Sequence, residues 1–255
     1  MRKIPICIPS INNKEYQTVK KILKSKWLTH GKYNELFEKS FAEYLGVKYA
    51  LSLNSCTSAL ELAIKANNLK TTDEVIVPSF TWVASANAII NGGAKPVFCD
   101  SDLNTRNTTA ENIEKCITKK TKALMIVHYG GQICEMDKIL KLVKKYKIIL
   151  IEDSAETIGS KWKNKMAGSF GIGCFSFFPT KNITTGEGGM ITSNNKKFID
   201  KCKLFIAHGI EKTTLQREKT KRPWIKVSIL AGHNFRLSNL LAGIGYEQLK
   251  KLDKL

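Results

Sequence analysis

Histidine is scarce in this sequence, four in 255 residues, and its seven cysteines (Cys7, Cys56, Cys99, Cys116, Cys134, Cys174 and Cys202) contain no Cys-x-x-Cys pair. A zinc site has little to be built from, so no metal centre is expected. An odd number of widely spaced cysteines is not a disulfide framework either, and the thiols are read as reduced. No apolar run approaches the roughly 20 residues of a membrane helix. The amino-terminal MRKIPICIPS has one short apolar run, broken by Pro5 and Pro9, which makes a poor secretory leader. These absences lead to the expectation of a cytoplasmic chain with no membrane partner. The Gly-Lys-Ser/Thr of a P-loop is missing, and GSFGIG does not fit G-x-G-x-x-G, which removes two common nucleotide cradles.

Acidic residues are also few, 22 against 41 Lys and Arg, for a formal net charge of +19. A basic surface attracts anions. However, zinc-finger spacing, RNA-binding aromatic signatures and basic-region heptads are all lacking. Stretches such as KKILKSK and KLVKKYK set their lysines around helical apolar positions, as a solvated face does. No nucleic-acid partner is expected. Hydrophobic content of 43% and charged content of 25% are near globular averages, and the length allows one large domain or two small ones.

What is present alternates between two periods. Tyr16, Val19, Ile22 and Leu23 keep helical spacing, as do Met136, Ile139, Leu140 and Val143. Between helical stretches lie apolar runs of strand length: VIVP (75–78), ALMIV (123–127) and IILI (148–151). Such runs predict buried parallel strands in a βαβ order, and hence a doubly wound α/β fold. Residues 211–226, dense in Lys, Glu, Thr and Arg, are expected to form a mobile segment. In folds of this class ligands gather at the C-terminal ends of the parallel strands.

Three strand ends and one lysine stretch carry chemistry. After YALSL come Asn54, Ser55, Cys56, Thr57 and Ser58 and then a helical stretch, a place where N–H groups and a positive dipole end can take phosphate. The same residues suit plain N-capping, and the sequence leaves both readings open. After VIVP comes Trp82, which could stack on a flat ligand or simply belong to the core. After IILI come Glu152, Asp153 and, further on, Glu156; a carboxylate at the end of a buried strand requires a positive or hydrogen-bonding partner. In CFSFFPTKNITTGEGGMIT (174–192), Lys181 stands between apolar Phe175, Phe177 and Phe178 and the glycines 186, 188 and 189. A phosphate cradle, a ring stacker, a carboxylate and a half-buried lysine are the set that pyridoxal 5′-phosphate (PLP) needs. Its aldehyde takes a lysine as a Schiff base, its ring nitrogen pairs with an Asp and its phosphate takes helix N–H and hydroxyl donors.

SFFPTKNITTGEGGM, VIVPSFTWVASANAI, IEDSAETIGS and GHNFRLSNLLAGIGYEQL, in this order, resemble the PLP-dependent nucleotide-sugar aminotransferases of the DegT/StrS type. The resemblance is collinear from about Ile4 to the last residue. It implies the aspartate aminotransferase fold (fold type I), a mostly parallel sheet sandwiched by helices. It places a large PLP-binding domain at 1–240, and makes 241–255 the start of the helix leading to a small C-terminal domain. It implies Lys181 and Asp153 as catalytic, Lys181 binding the cofactor and moving a proton and Asp153 holding the ring nitrogen protonated. Trp82 would stack on the ring, Thr57, Ser58 and Ser176 would bind the phosphate, and Glu156 would lie near the reacting groups. Asn234 would reach the phosphate of a neighbouring subunit, implying a homodimer. The implied reaction moves an amino group from an amino acid, L-glutamate, to a keto-sugar of a nucleoside diphosphate in cell-surface polysaccharide biosynthesis.

Two departures from the family pattern bear on that reading. Cys56 stands where relatives carry glycine; a cysteine there requires a backbone tolerable for a residue with Cβ, and weaker cofactor binding is expected. Relatives also continue past QLKKLDKL into a C-terminal domain. The competing expectation is therefore a catalytically incompetent PLP-binding remnant, or half of a split protein, with part of NLLAGIGYEQL left as an exposed apolar helix. A related sugar dehydratase is disfavoured, because such relatives carry histidine in place of the lysine.

Overall fold

The computed structural model describes residues 4–212, 217–218 and 220–255. A seven-stranded sheet forms its centre. In chain order the elements are α1 (Asn13–Ser25), α2 (Lys32–Leu45), β1 (Tyr49–Leu53), α3 (Cys56–Lys65), β2 (Glu74–Pro78), α4 (Ala84–Asn91), β3 (Lys95–Cys99), α5 (Ala110–Lys115), β4 (Thr121–Val127), α6 (Met136–Tyr146), β5 (Ile149–Asp153), a two-stranded ribbon of β6 (Lys161–Trp162) and β7 (Lys165–Met166), β8 (Ile172–Ser176), β9 (Gly189–Ser193), α7 (Lys196–Phe205) and α8 (Asn239–Leu249). The sheet order is β1-β9-β8-β5-β4-β2-β3. Only β9 runs against the others, pairing antiparallel with β1 and β8. The remaining pairs are parallel. The three apolar runs read as parallel strands are β2, β4 and β5.

Alternation along the strands divides the core into layers, because successive side chains leave a sheet on opposite faces. Leu51, Val75, Val77, Met125 and Ile151 meet α3, α4 and α7 on one face. On the other, Ile76, Leu124, Ile126 and Leu150 meet α5 and α6, while Phe175 meets Phe37 and Phe41 of α2. Both faces are covered, which is why these strands read as continuous apolar runs. With β1, β5, β4, β2 and β8 all pointing the same way, their C-terminal ends open along a single edge.

The spacing of Tyr16, Val19, Ile22 and Leu23 does form a helix, α1; of these Ile22 is buried, beside Glu15 and Thr18, while Tyr16 and Leu23 are exposed. One expectation changes: helix α8 is not left bare. Ala242, Gly243, Gly245, Gln248 and Leu249 are buried, mainly against α1 and α2. The segment expected to be mobile, 211–226, lies partly outside the described residues.

Candidate active site

The turn from β1 into α3 is built by hydroxyl capping. Ser55 has extended backbone (φ −164°, ψ 161°) and its Oγ accepts from the Ser58 N–H at 3.1 Å. The Ser58 hydroxyl donates to Asn54 Oδ1 at 2.8 Å and shares a 2.9 Å hydrogen bond with Ser55 Oγ. Ser58 is therefore spent inside the turn and does not line the cavity, contrary to expectation; Ser55, Cys56 and Thr57 line it. The N–H groups of Cys56 and Thr57 open the helix, where no intrahelical acceptor exists. Cys56 is the first helical residue and is absent from the positive-φ positions. Its Cβ is thus accommodated, on a backbone tolerable for a residue with Cβ. The demand for glycine falls across the turn instead. A Cβ at Gly189 of β9 would lie 2.3 Å from the Ser55 carbonyl carbon and 2.5 Å from the Cys56 nitrogen. Burial, with the Asp153 charge nearby, pushes the Cys56 thiol well above its usual value.

The adjacent acids Glu152 and Asp153 leave β5 on opposite faces. Glu152 is fully buried and fully occupied: its carboxylate accepts from the N–H groups of Gly168 (2.9 Å), Phe170 (2.8 Å) and Gly171 (2.7 Å). His128 Nε2 completes the set at 3.1 Å. Since His128 Nδ1 accepts from the Cys134 N–H at 3.2 Å, the proton belongs on Nε2 and is donated to Glu152. Asp153 faces the cavity. Ser85 Oγ donates to its Oδ2 at 2.8 Å and the Ala155 N–H to its Oδ1 at 3.2 Å. Burial outweighs these donors and holds the Asp153 carboxyl above the usual range.

Lys181 sits at the tip of the loop joining β8 to β9. Its N–H donates to the Phe178 carbonyl at 2.9 Å, and the loop's base is closed by Phe177 N–H to Gly188 O at 2.9 Å. Lys181 Nζ lies 3.1 Å from Glu156 Oε1, with its side chain 19% exposed. The other Glu156 oxygen accepts from the Gly130 N–H at 2.8 Å. Burial works to raise the Glu156 carboxyl, but the Gly130 and Lys181 hydrogen bonds prevail and hold it below its ordinary value.

Thr57, Trp82, Asp153, Glu156, Ser176 and Lys181 are thus brought to one cavity of about 570 Å³. Ser176 ends β8, and its Oγ accepts from the Phe178 N–H at 3.3 Å. Trp82 is 78% exposed and forms part of the mouth. Asn234, exposed and bridged to Ala207, does not line the cavity. Sequence reasoning missed Ser85, His128 and Tyr129; Tyr129 packs with Phe80, two positions before Trp82, with ring centroids 4.7 Å apart at the rim. His128 and Tyr129 directly follow β4, so extending the strand-end search to ALMIV would have found them. Ser85 has no such signal, being 68 positions from its partner.

A helix N-terminus with free N–H groups, a buried carboxyl short of a cation and a lysine in one cavity are the donor set of a PLP site. The model of the DegT/DnrJ/EryC1/StrS aminotransferase family matches residues 9–255. This chain belongs to that family. DegT/StrS-family enzymes are PLP-dependent and have fold type I, and the sheet described above is that fold. The chain is 43% identical to GDP-perosamine synthase of Escherichia coli O157:H7 over 255 residues, covering 99% of this chain and 67% of the relative. It is 40% identical to the spore coat polysaccharide biosynthesis protein SpsC of Bacillus subtilis, covering 99% and 65%. The structure superposes on Helicobacter pylori PseC, an aminotransferase involved in pseudoaminic acid biosynthesis, with a TM-score of 0.92 and 35% identity, covering 100% of this chain and 67% of that one. The chain therefore spans about two thirds, 65–67%, of the length of these relatives. Among the described residues no helix is long and apolar enough to cross a membrane.

Proposed function

We propose that this chain carries the cofactor site of a cytoplasmic PLP-dependent nucleotide-sugar aminotransferase, with residues 1–240 as the large domain. The observation that carries the reading is the convergence of Lys181, Asp153 and the open end of α3 on one cavity. Bound there, PLP supplies an aldehyde and an electron-withdrawing ring that let an amino group pass between carbonyl carbons. The chain's own residues bind, orient and move protons. The N–H groups of Cys56 and Thr57, with the Thr57 and Ser176 hydroxyls, hold the phosphate, and Ser58 stiffens the turn from within. Asp153, oriented by Ser85, would accept a hydrogen bond from the ring nitrogen and keep that nitrogen protonated, and the positive charge held there would relieve the cost of burying the carboxylate. Trp82 covers the ring. Lys181 would bind the cofactor through Nζ and move a proton there, and Glu156, 3.1 Å away, orients Nζ.

L-glutamate is the proposed donor and a nucleoside-diphosphate keto-sugar the proposed acceptor, within cell-surface polysaccharide biosynthesis; a relative named GDP-perosamine synthase supports the nucleotide sugar, and one named for spore coat polysaccharide biosynthesis supports the setting. We place the working unit as a homodimer in which Asn234 serves the neighbouring subunit's phosphate. The exposed run of Trp224, Ile225, Val227 and Ile229 is apolar surface of the kind an interface covers.

The test is an absorbance spectrum of the chain with added PLP, before and after L-glutamate, beside Lys181→Ala. The expected result is a lysine-dependent band that glutamate abolishes. A band indifferent to glutamate marks a cofactor-binding chain without turnover, and no difference between the chain and Lys181→Ala overturns the role of Lys181.

A further inference from the structure

The loop that carries Lys181 is tied at its base to the far end of the chain. Thr184 and Thr185 close that base: the Thr185 N–H donates to the Phe177 carbonyl at 3.0 Å, the Thr184 hydroxyl donates to the same carbonyl at 2.8 Å, and the Gly186 N–H donates to Thr184 Oγ1 at 2.9 Å. The N–H of Thr184 is left, and its acceptor is Oε1 of Gln248 on α8, at 3.4 Å. Gln248 is 1% exposed and its amide is spent at both ends. Nε2 donates to the Ser10 carbonyl and to Glu15 Oε1, each at 2.7 Å.

Glu15 is in turn 2% exposed. Lys251 Nζ lies 2.6 Å from its Oε1, and the Asn12 N–H donates to its Oε2 at 3.0 Å. Lys251 also donates to the Ser10 carbonyl. The helix approaches the loop closely enough for this linkage because Gly245, one turn before Gln248, has no Cβ; one there would lie 2.6 Å from a Phe37 ring carbon and 2.8 Å from Thr185 Cγ2. A buried amide whose orientation is fixed by a carboxylate on one side is a rigid acceptor on the other, since flipping it would leave several groups unpaired.

We propose that Gln248, clamped by Glu15 and Lys251, is a positioning residue for Lys181: it fixes the base of the lysine loop and so sets where the amine stands in the cavity. The functional part of this rests on the reading of Lys181 given above, while the mechanical part does not. The network also gives a reason why α1 buries Glu15 rather than its apolar Tyr16 and Leu23.

Two variants test it. Gln248→Met keeps the length and bulk but removes all three hydrogen bonds, and Glu15→Gln leaves Gln248 in place but weakens its clamp. Hydrogen exchange of the cofactor-free chain should show the amides of 181–188 exchanging about tenfold faster in Gln248→Met, the change expected for loss of one hydrogen bond at a local opening. In β2 and β4 protection should be unchanged. Glu15→Gln should give a smaller change at the same amides. With PLP, Gln248→Met should raise the dissociation constant read from the lysine-dependent band by about tenfold, in step with the exchange, and shift the band's pH midpoint. Unchanged exchange at 181–188, or equal acceleration there and in the core strands, overturns the proposal. Accelerated loop exchange with an unaltered band and midpoint also overturns it, because the loop would then move without moving the amine. If the unsubstituted chain shows no lysine-dependent band, the functional reading fails and the exchange result alone decides the mechanical one.

Discussion

At the scale of single residues, neighbouring acids on one strand come to opposite fates because a strand points them to opposite sides. Glu152 meets three backbone N–H groups and His128, so its charge is solvated by the fold. Asp153 has one hydroxyl and one N–H, and burial keeps its carboxyl above 3.8, the ordinary value. The consequence for stability has a definite sign. Between the ordinary value and the raised one, the folded chain holds a proton that the unfolded chain has lost, so stability falls as pH rises through that window. The cofactor-free chain carries more of this cost as pH rises from the ordinary value toward the raised one, and all of it above the raised one. Asp153→Asn removes it while keeping an acceptor for Ala155 and a donor for Ser85. It should raise the Tm of the cofactor-free chain at neutral pH by about 2–4 °C, the effect of one kcal/mol in a chain of this size. The gain should shrink as pH is lowered toward the ordinary carboxylate range. PLP should stabilise the unsubstituted chain and fail to stabilise the variant. Thermal melts at several pH values, with and without PLP, check all three.

At the scale of elements, what sequence reveals depends on whether a signal is local. The strands β2, β4 and β5 are legible because burial on both faces leaves an uninterrupted apolar run. The site's outline is legible because the strand-end rule points to Thr57, Trp82, Asp153 and Glu156 without any knowledge of contacts. Partners distant in the chain are not legible. Nothing near Asp153 announces Ser85, and nothing near Glu15 announces Gln248, 233 positions away, so helical spacing predicts α1 but not that it buries Glu15. At Cys56 the backbone, not the residue type, decides whether a Cβ fits. The helix begins there, so glycine is needed at Gly189 rather than here. This yields a prediction opposite to the family pattern. Cys56→Gly should destabilise the chain by about 1–2 kcal/mol, through lost backbone restriction and lost buried contacts, without improving PLP affinity. Urea unfolding and a PLP titration measure the two effects, and a gain in affinity would restore the view that the cysteine weakens cofactor binding.

At the scale of the whole molecule, the seven cysteines report on whether these layers behave as one cooperative body. Cys56, Cys99, Cys134, Cys174 and Cys202 are buried, Cys116 is part-exposed and Cys7 is exposed. Together the buried five sample both faces of the sheet, though not the layer of α2 and α8. Cys56, Cys174 and Cys202 belong to the α3–α7 face, while Cys99 and Cys134 belong to the α5–α6 face. Burial pushes Cys99 up to about 11 and Cys134 up to about 12, and the other three are raised as well. A buried thiol with a raised pKa offers neither access nor thiolate, so it reacts only through opening. A thiol reagent at neutral pH should therefore take Cys7 first and Cys116 more slowly. The remaining five should follow together at the rate of global unfolding if both faces of the sheet share one cooperative transition. Peptide mapping of the labelled chain over time distinguishes the cases. Early labelling of Cys99 and Cys134 ahead of Cys174 and Cys202 would mean that the α5–α6 layer opens independently. It would then be the side of the sheet bearing His128 and Glu152, and not the lysine loop, that limits how firmly the cavity is held.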